Sequence, residues 1–348
     1  MSYTTQTFCV ILRETSRRGR AVFGELVIAY LFLAGVGAGG TAAASLADLF
    51  VVRDPFGEGA KPDVAEKAPA ERLIALVFVV SGGAMVLGAA CLALDLGRLD
   101  RVIALFLSPP TTLMNLGAWA VTLLAGTATA LALVRVMYVP AVGRGVVAAL
   151  EVVAIALAIV VAAYAGLLLR TLTGVRLWSS VWVPVLFVLS AASCGCALML
   201  AAALFFRSDR TVALLASRAA RADAVVIVFE AVAGAFFLAF VLGGDHPGAQ
   251  ASGASLMEGS AALPWWVGFV ACGISVPLIV EAVCLVRDRW QTGARSFPAI
   301  ALALSGVLVL VGAMGLRTAV VDAGVHRDLE LQEPQAALER EDVNTWLN

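Results

Sequence analysis

The sequence predicts an all-α integral membrane protein with about eight transmembrane helices, and its composition and its apolar runs are the two observations behind that prediction. Mean hydropathy is +0.94 and only 14% of the 348 residues are charged, about half the share usual in a soluble domain. A soluble chain of this length could not bury so much apolar surface in one core. The net charge of −1 and the lack of a basic tract give no indication of nucleic-acid binding.

Eight stretches reach the length of about 20 apolar residues that crosses the hydrocarbon core of a bilayer. They cover residues 22–48, 73–95, 112–135, 146–169, 178–206, 223–243, 264–286 and 297–321. Among the breaks between them, residues 207–221 are basic and residues 245–260 are rich in Gly and Ser. Five tryptophans lie at predicted span edges, as in an aromatic belt: Trp178, Trp182, Trp265, Trp266 and Trp290.

The orientation in the membrane follows from the distribution of Lys and Arg between the two sides. Eight spans place both termini on one side, which we call the terminal face, and the basic residues are nearly balanced between the two faces. Residues 244–263 contain no Lys or Arg and would lie on the terminal face. We therefore expect a multi-pass protein of the cell (inner or plasma) membrane with extracytoplasmic termini.

Polar side chains collect near the terminal face, and each is a candidate for function because ionisable groups within a span are costly. They are Glu25, Asp95, Arg98, Asn115, Tyr164 and Arg170. Asp95 and Arg98 are also compatible with a simple surface pair, since they are three residues apart at a helix end.

Three carboxylates lie toward the opposite half of the membrane: Glu151, Glu230 and Glu281. Acidic residues inside spans form proton paths in pumps and transporters, so we assign these three, together with Arg317 of the last span, to a candidate proton path. Glu151 is also compatible with a position among the lipid headgroups, because it is only a few residues into its span.

The sequence contains no motif for soluble-type catalysis. The glycine-rich residues 35–40 lie in the middle of a span with no strand before them, so they do not form a nucleotide-binding loop. The chain has only two histidines, His246 and His326, and both are in polar segments. We therefore expect no haem and no other redox metal in this chain, and no catalytic residue of its own beyond the binding site.

Several blocks resemble the NrfD/polysulfide reductase membrane-subunit family. Tyr30-Leu31-Phe32-Leu33-Ala34-Gly35 resembles the opening of its first helix, and Leu94-Asp95-Leu96-Gly97-Arg98 is similar to its segment at the end of the second helix. Tyr164-Ala165-Gly166 and Leu316-Arg317 resemble its blocks in the fourth and eighth helices. The blocks occur in the family's order over almost the whole chain.

The resemblance implies a membrane anchor that exchanges electrons with menaquinone or ubiquinone. It implies two four-helix bundles, here residues 22–169 and 170–323, between an N-terminal segment 1–21 and a polar tail 324–348. It also implies a ferredoxin-like iron–sulfur partner subunit and a molybdopterin catalytic subunit. The quinone would bind in the first bundle, near the terminal face, to Glu25, Tyr30, Asp95, Arg98, Asn115, Tyr164 and Arg170.

Two other functions stay open at this point. Buried carboxylates and Pro277 inside the seventh span also suit an ion-coupled secondary transporter, although no inverted repeat is evident. A structural anchor without quinone is the third possibility. The terminal substrate, the direction of electron flow, the quinone type and the membrane side of the catalytic subunit are not encoded in the patterns above.

Overall fold

A computed structural model describes residues 3–52, 64–95, 106–107, 112–137, 143–171, 176–206, 210–243, 247–290 and 298–324, with the backbone alone for residues 3–23, 64–68, 176, 247–248 and 287–290. Within these ranges the chain is helical apart from short turns, and no described residue lies in a strand. The predicted all-α fold class is confirmed. Arg98 and the predicted polar tail after Gly324 fall outside the described residues.

The described helices follow one another along the chain. They are α1 Tyr3–Ala47, α2 Val64–Asp95, α3 Leu113–Val136, α4 Arg144–Arg170, α5 Trp182–Ala203, α6 Arg210–Leu242, α7 Pro247–Met257, α8 Val276–Trp290 and α9 Ala299–Gly324. A π-helical turn, Asp48–Val52, extends α1, and a longer π-helical segment, Pro264–Ser275, precedes α8. Short 3₁₀ turns, Arg176–Ser179 and Leu204–Phe206, flank α5.

Eight helical stretches in the described part of the chain are long and apolar enough to cross a membrane, as the sequence predicted. They are Gly24–Val52, Pro69–Asp95, Leu113–Val136, Arg144–Arg170, Trp182–Phe206, Arg210–Leu242, Pro264–Val286 and Ala299–Gly324. Large apolar side chains point outward from them, such as Leu87, Phe229 and Ile279, each about 60% exposed. An apolar exterior of this kind is stable only in lipid.

The structure differs from the sequence prediction in two connecting regions. Helix α6 begins at Arg210, so most of the basic break at 207–221 is helical. Its Ala, Leu and Arg residues are good helix formers, and their charges exclude this part from lipid without preventing a helix. The second difference is α7, an 11-residue helix inside the Gly- and Ser-rich break. Pro247 occupies its first position, where a missing N–H costs nothing.

The helix contacts form two closed rings of four. Helices α1, α2, α3 and α4 pack in one ring, each against the next and α4 against α1. Helices α5, α6, α8 with its π-helical segment, and α9 form the second ring in the same manner. The rings meet where α1 packs against α5 and α9, and where α4 packs against α5.

Glycines bring helix backbones into direct contact at these meeting points. A Cβ on Gly39 of α1 would overlap the carbonyl oxygen of Ala191 in α5, and a Cβ on Gly195 would overlap the carbonyl of Gly39. A similar crossing joins Gly273 and Gly312 in the second ring. Small residues allow this close approach, which drives helix association in lipid where the hydrophobic effect cannot.

Candidate functional site

Two tyrosines of the first ring lie side by side near the terminal face. Tyr30 is on the first turns of the α1 span and Tyr164 is near the end of α4, and both are buried. Their hydroxyls are close together, yet the Tyr30 hydroxyl makes no hydrogen bond of normal geometry with any described residue. Buried hydroxyls usually have a partner, so the Tyr30 hydroxyl is a candidate to hydrogen-bond a bound molecule.

Helix α3 provides the surface on which Tyr164 rests. A Cβ on Gly117 would overlap three atoms of the Tyr164 ring, so the missing side chain fixes how close the ring lies to the helix. Asn115 is buried at the same end of α3. Its backbone N–H donates to Thr112 Oγ1 at 3.3 Å, which caps the helix and orders this end. We call Tyr30, Asn115, Gly117 and Tyr164 the tyrosine site.

The remaining residues of the predicted quinone site are placed differently. Glu25 and Arg170 are exposed at the terminal ends of the α1 and α4 spans, and Asp95 is half-buried at the last residue of α2. Arg98 is outside the described residues. The structure therefore buries three of the predicted residues, Tyr30, Asn115 and Tyr164, and leaves Glu25 and Arg170 on the exterior.

Arg317 of α9 is buried where the two rings meet. Its Nε donates to the carbonyl oxygen of Leu31 at 2.9 Å. Its Nη1 donates to Ser190 Oγ at 3.1 Å and to the Ala313 carbonyl at 2.8 Å. The guanidinium lies 5.4 Å from the centre of the Phe187 ring, a cation–π contact. Three hydrogen bonds and one aromatic face compensate the burial of this charge.

Three buried carboxyl groups continue from Arg317 through the second ring. Glu230 of α6 lies beside Ser190, within interaction distance of the Arg317 guanidinium. Asp223, two turns earlier in α6, accepts a hydrogen bond of 2.6 Å from Ser193. Glu281 of α8 lies next to Asp223.

Asp223 and Glu281 form a pair of carboxyl groups in a dry environment. Glu281 accepts a hydrogen bond of 2.9 Å from Ser305. The second oxygen of each, Asp223 Oδ2 and Glu281 Oε2, has no hydrogen-bond donor among the described residues. Two adjacent buried carboxylates cannot both stay ionised, so the pair requires a proton between its members. We call Glu230, Asp223 and Glu281 the carboxyl column.

Sequence reasoning missed Asp223 because it is the first residue of the predicted span 223–243, where a carboxylate is normally interfacial. The available signal was its spacing of seven residues from Glu230. Two turns of helix place both side chains on one face, and α6 continues far enough beyond Asp223 to bury it.

Glu151 lies in the first ring, apart from the carboxyl column. Arg135 Nη2 is 2.5 Å from Glu151 Oε1 and 2.8 Å from Asp48 Oδ2, and its guanidinium lies 5.4 Å from the centre of the Phe78 ring. Both carboxylates are buried. This group, Asp48, Arg135 and Glu151, is the ion cluster; it joins α3, α4 and the π-helical turn after α1 near the opposite face.

No group of three or more His, Cys, Asp or Glu side chains within the described ranges is arranged to hold a metal ion. The buried ionisable groups above are instead partnered by hydroxyls, by backbone carbonyls or by one another. Their chemistry is that of hydrogen bonding and of proton and charge placement.

In the part of the chain that the structure describes, eight apolar helices pack around internal charged groups, which defines a polytopic helical membrane protein. A family model described as polysulphide reductase, NrfD, matches residues 13–327, so the chain belongs to the NrfD family. The predicted family is confirmed. The C subunit of polysulfide reductase from Wolinella succinogenes is 30% identical over 182 residues, which are 50% of this chain and 53% of that protein. The match thus spans about half the length of this curated relative.

Proposed function

We propose that this chain is the quinone-interacting membrane subunit of a respiratory oxidoreductase and that the quinone head group binds at the tyrosine site. The observation that carries this proposal is the buried Tyr30 hydroxyl next to a second phenol, because among the described residues it makes no hydrogen bond of normal geometry. Membership of the NrfD family supports the assignment. The name of the relative, one lettered subunit of a reductase, supports the presence of further subunits.

The residues of the tyrosine site fit a quinone or quinol head. A phenol donates a hydrogen bond to a carbonyl oxygen and accepts one from a hydroxyl, so Tyr30 and Tyr164 can hold either form. The Asn115 amide offers a donor and an acceptor at the same end of α3. A bound quinol supplies two electrons and two protons, and half-buried Asp95 offers a proton acceptor at the membrane surface.

Electrons would leave through a partner that docks on the terminal face. The tyrosine site lies near that face, and it contains no histidine. We therefore propose a ferredoxin-like iron–sulfur subunit as the direct partner and a molybdopterin subunit as the catalytic one. Purification in mild detergent followed by mass spectrometry of extracted lipids tests this directly: menaquinone or ubiquinone should be recovered together with an iron–sulfur protein.

Two conservative substitutions test the binding residues. Tyr30→Phe and Tyr164→Phe each remove one hydroxyl and keep the ring, so quinol turnover should fall at least tenfold while the complex still assembles. Tyr138→Phe, in the segment between the third and fourth predicted spans, is the matched control and should keep parental turnover. Parental turnover and parental quinone content in both site variants would reject the tyrosine site. A protein that assembles without any quinone would support a structural anchor.

The carboxyl column supports a second proposal, that electron transfer is coupled to proton movement through the second ring. The supporting observation is the Asp223–Glu281 pair, which requires a proton, with Glu230 two turns along the same helix. Glu230→Gln and Glu281→Gln should lower the number of protons moved per electron in proteoliposomes. Variants that move as many protons as the parent would end this proposal. An ion-coupled transporter should instead move its substrate without any quinol.

A further inference from the structure

Arg317 lies between the tyrosine site and the carboxyl column. One edge of its guanidinium donates a hydrogen bond to the carbonyl oxygen of Leu31, the residue that follows Tyr30. The other edge bonds Ser190, beside which Glu230 lies. We propose that Arg317 is a positioning residue that links the charge state of the tyrosine site to the protonation of Glu230. This inference rests on the proposed function.

Contacts on the α1 side fix the guanidinium at the back of the tyrosine site. A Cβ on Gly35 would overlap Arg317 Nη2, so the guanidinium packs directly on the α1 backbone one turn beyond Leu31. Tyr30, Leu31 and Gly35 lie within two turns of one helix, so a displacement of the α1 backbone at Tyr30 would also displace the carbonyl that Arg317 bonds. The N–H groups of the planar guanidinium have fixed directions, so a shift of the carbonyl that accepts from one of them would reorient the whole group.

Contacts on the α5 side extend the link to Glu230. Ser190 is buried, and its hydroxyl accepts from Arg317 while lying close to the Glu230 carboxyl group. A hydroxyl can accept one hydrogen bond and donate another at the same time. The position of the guanidinium can therefore determine how the Ser190 hydroxyl is oriented toward the Glu230 carboxyl group. Within the described ranges, Arg317 has no carboxylate within ion-pair distance, which leaves Glu230 as the acid that its charge acts upon across this hydroxyl.

Arg317 acts through its charge and not as a proton carrier. A guanidinium stays protonated in proteins, so Arg317 does not carry protons between the tyrosine site and the carboxyl column. Its positive charge nevertheless acts on both sites. Charges in a low-dielectric interior interact strongly. When the tyrosine site becomes charged during quinol oxidation, the electric field at Arg317 and Glu230 changes, and Glu230 gains or loses a proton in response, with water as the proton donor or acceptor. The two quinol protons leave toward the terminal face, and the two electrons pass to the partner.

Redox-induced infrared difference spectroscopy tests the link on the full chain in its complex, reconstituted with menaquinone or ubiquinone. The parent should show quinone bands and a carboxyl C=O band that disappears in Glu230→Gln. In Ser190→Ala and in Arg317→Lys the carboxyl band should fall by at least half, while the quinone bands persist. Ser81→Ala removes an equally buried hydroxyl on α2, outside the tyrosine site and the carboxyl column; it is the matched control and should keep the Glu230 band.

The possible failures are distinguishable. A parent without quinone bands overturns the proposed function, and the link with it. Quinone bands without any band assignable to Glu230 overturn the link alone. A Glu230 band of parental size in both Ser190→Ala and Arg317→Lys has the same consequence. Ser190→Ala keeps this test valid where Arg317→Lys fails to fold, because it removes one small hydroxyl and retains both charges.

Discussion

Replacing Arg135 should destabilise the protein more than replacing either of its partners. The guanidinium forms ion pairs with Asp48 at 2.8 Å and with Glu151 at 2.5 Å, and these carboxylate side chains are 2% and 0% exposed. Arg135→Gln therefore takes the ion pair away from two buried negative charges, which costs about 3–5 kcal/mol by analogy with other broken buried pairs. Glu151→Gln keeps the Arg135–Asp48 pair and an amide oxygen that still accepts from Arg135, so it should cost about 1 kcal/mol.

Both single variants and the double variant belong in one experiment. The free energy of unfolding, measured in mixed detergent micelles by titration with a denaturing detergent, should fall about threefold more for Arg135→Gln than for Glu151→Gln, as the ratio of those costs indicates. The double variant carries one buried charge fewer than Arg135→Gln, so its loss should be smaller than the sum of the two. Two outcomes would refute this reasoning: equal losses of unfolding free energy in the two single variants, or a loss in the double variant equal to their sum. Either would mean that Arg135 does not stabilise the buried carboxylates.

Two glycine substitutions test the packing of the site and of the rings. Gly117→Ala should reduce quinol turnover about tenfold by displacing the Tyr164 ring, whereas Gly126→Ala on the same helix has open space and should keep parental turnover; equal turnover in the two variants would contradict the placement of the ring. Gly39→Ala should lower the free energy of unfolding by about 1–3 kcal/mol, since its Cβ meets backbone of α5. An added Cβ at Gly83 has no neighbouring atom within 4 Å, so Gly83→Ala should leave the free energy of unfolding unchanged or raise it. A loss as large as that of Gly39→Ala would show that the effect does not come from the contact between α1 and α5.

The sequence predicted the number and position of the spans well, because lipid imposes a length and an apolar composition that can be read locally. It predicted less about which way side chains face. Trp265 fits an aromatic belt by position, but it is buried and packs against Phe237 and Phe269, while Trp266 is exposed. Hydropathy predicts how deep a residue lies in the membrane. Which side chains face the protein interior is determined by the contacts between helices.

The family resemblance placed Tyr30 and Tyr164 in one predicted site, but the sequence pattern did not show which side chains contact each other. Tyr30 and Tyr164 are far apart in sequence, and only the α1–α4 contact makes them neighbours. Asp48 and Asp223 were missed because each is at the edge of a predicted span, where a charge needs no explanation. Both are buried, since the helices extend beyond the apolar run on which the prediction relied.

The glycine contacts between α1 and α5 also bear on how this protein works mechanically. Alternating-access carriers operate by rocking one bundle of helices against another around a central cargo. Here the two rings touch backbone to backbone at Gly39 and Gly195, without flexible side chains between them that can rearrange. We therefore expect the two rings to move together as one rigid body, because close-packed interiors are hardly compressible and transmit strain. A rigid joint between the rings supports the proposed movement of protons through the second ring and argues against the movement of a larger solute between the rings.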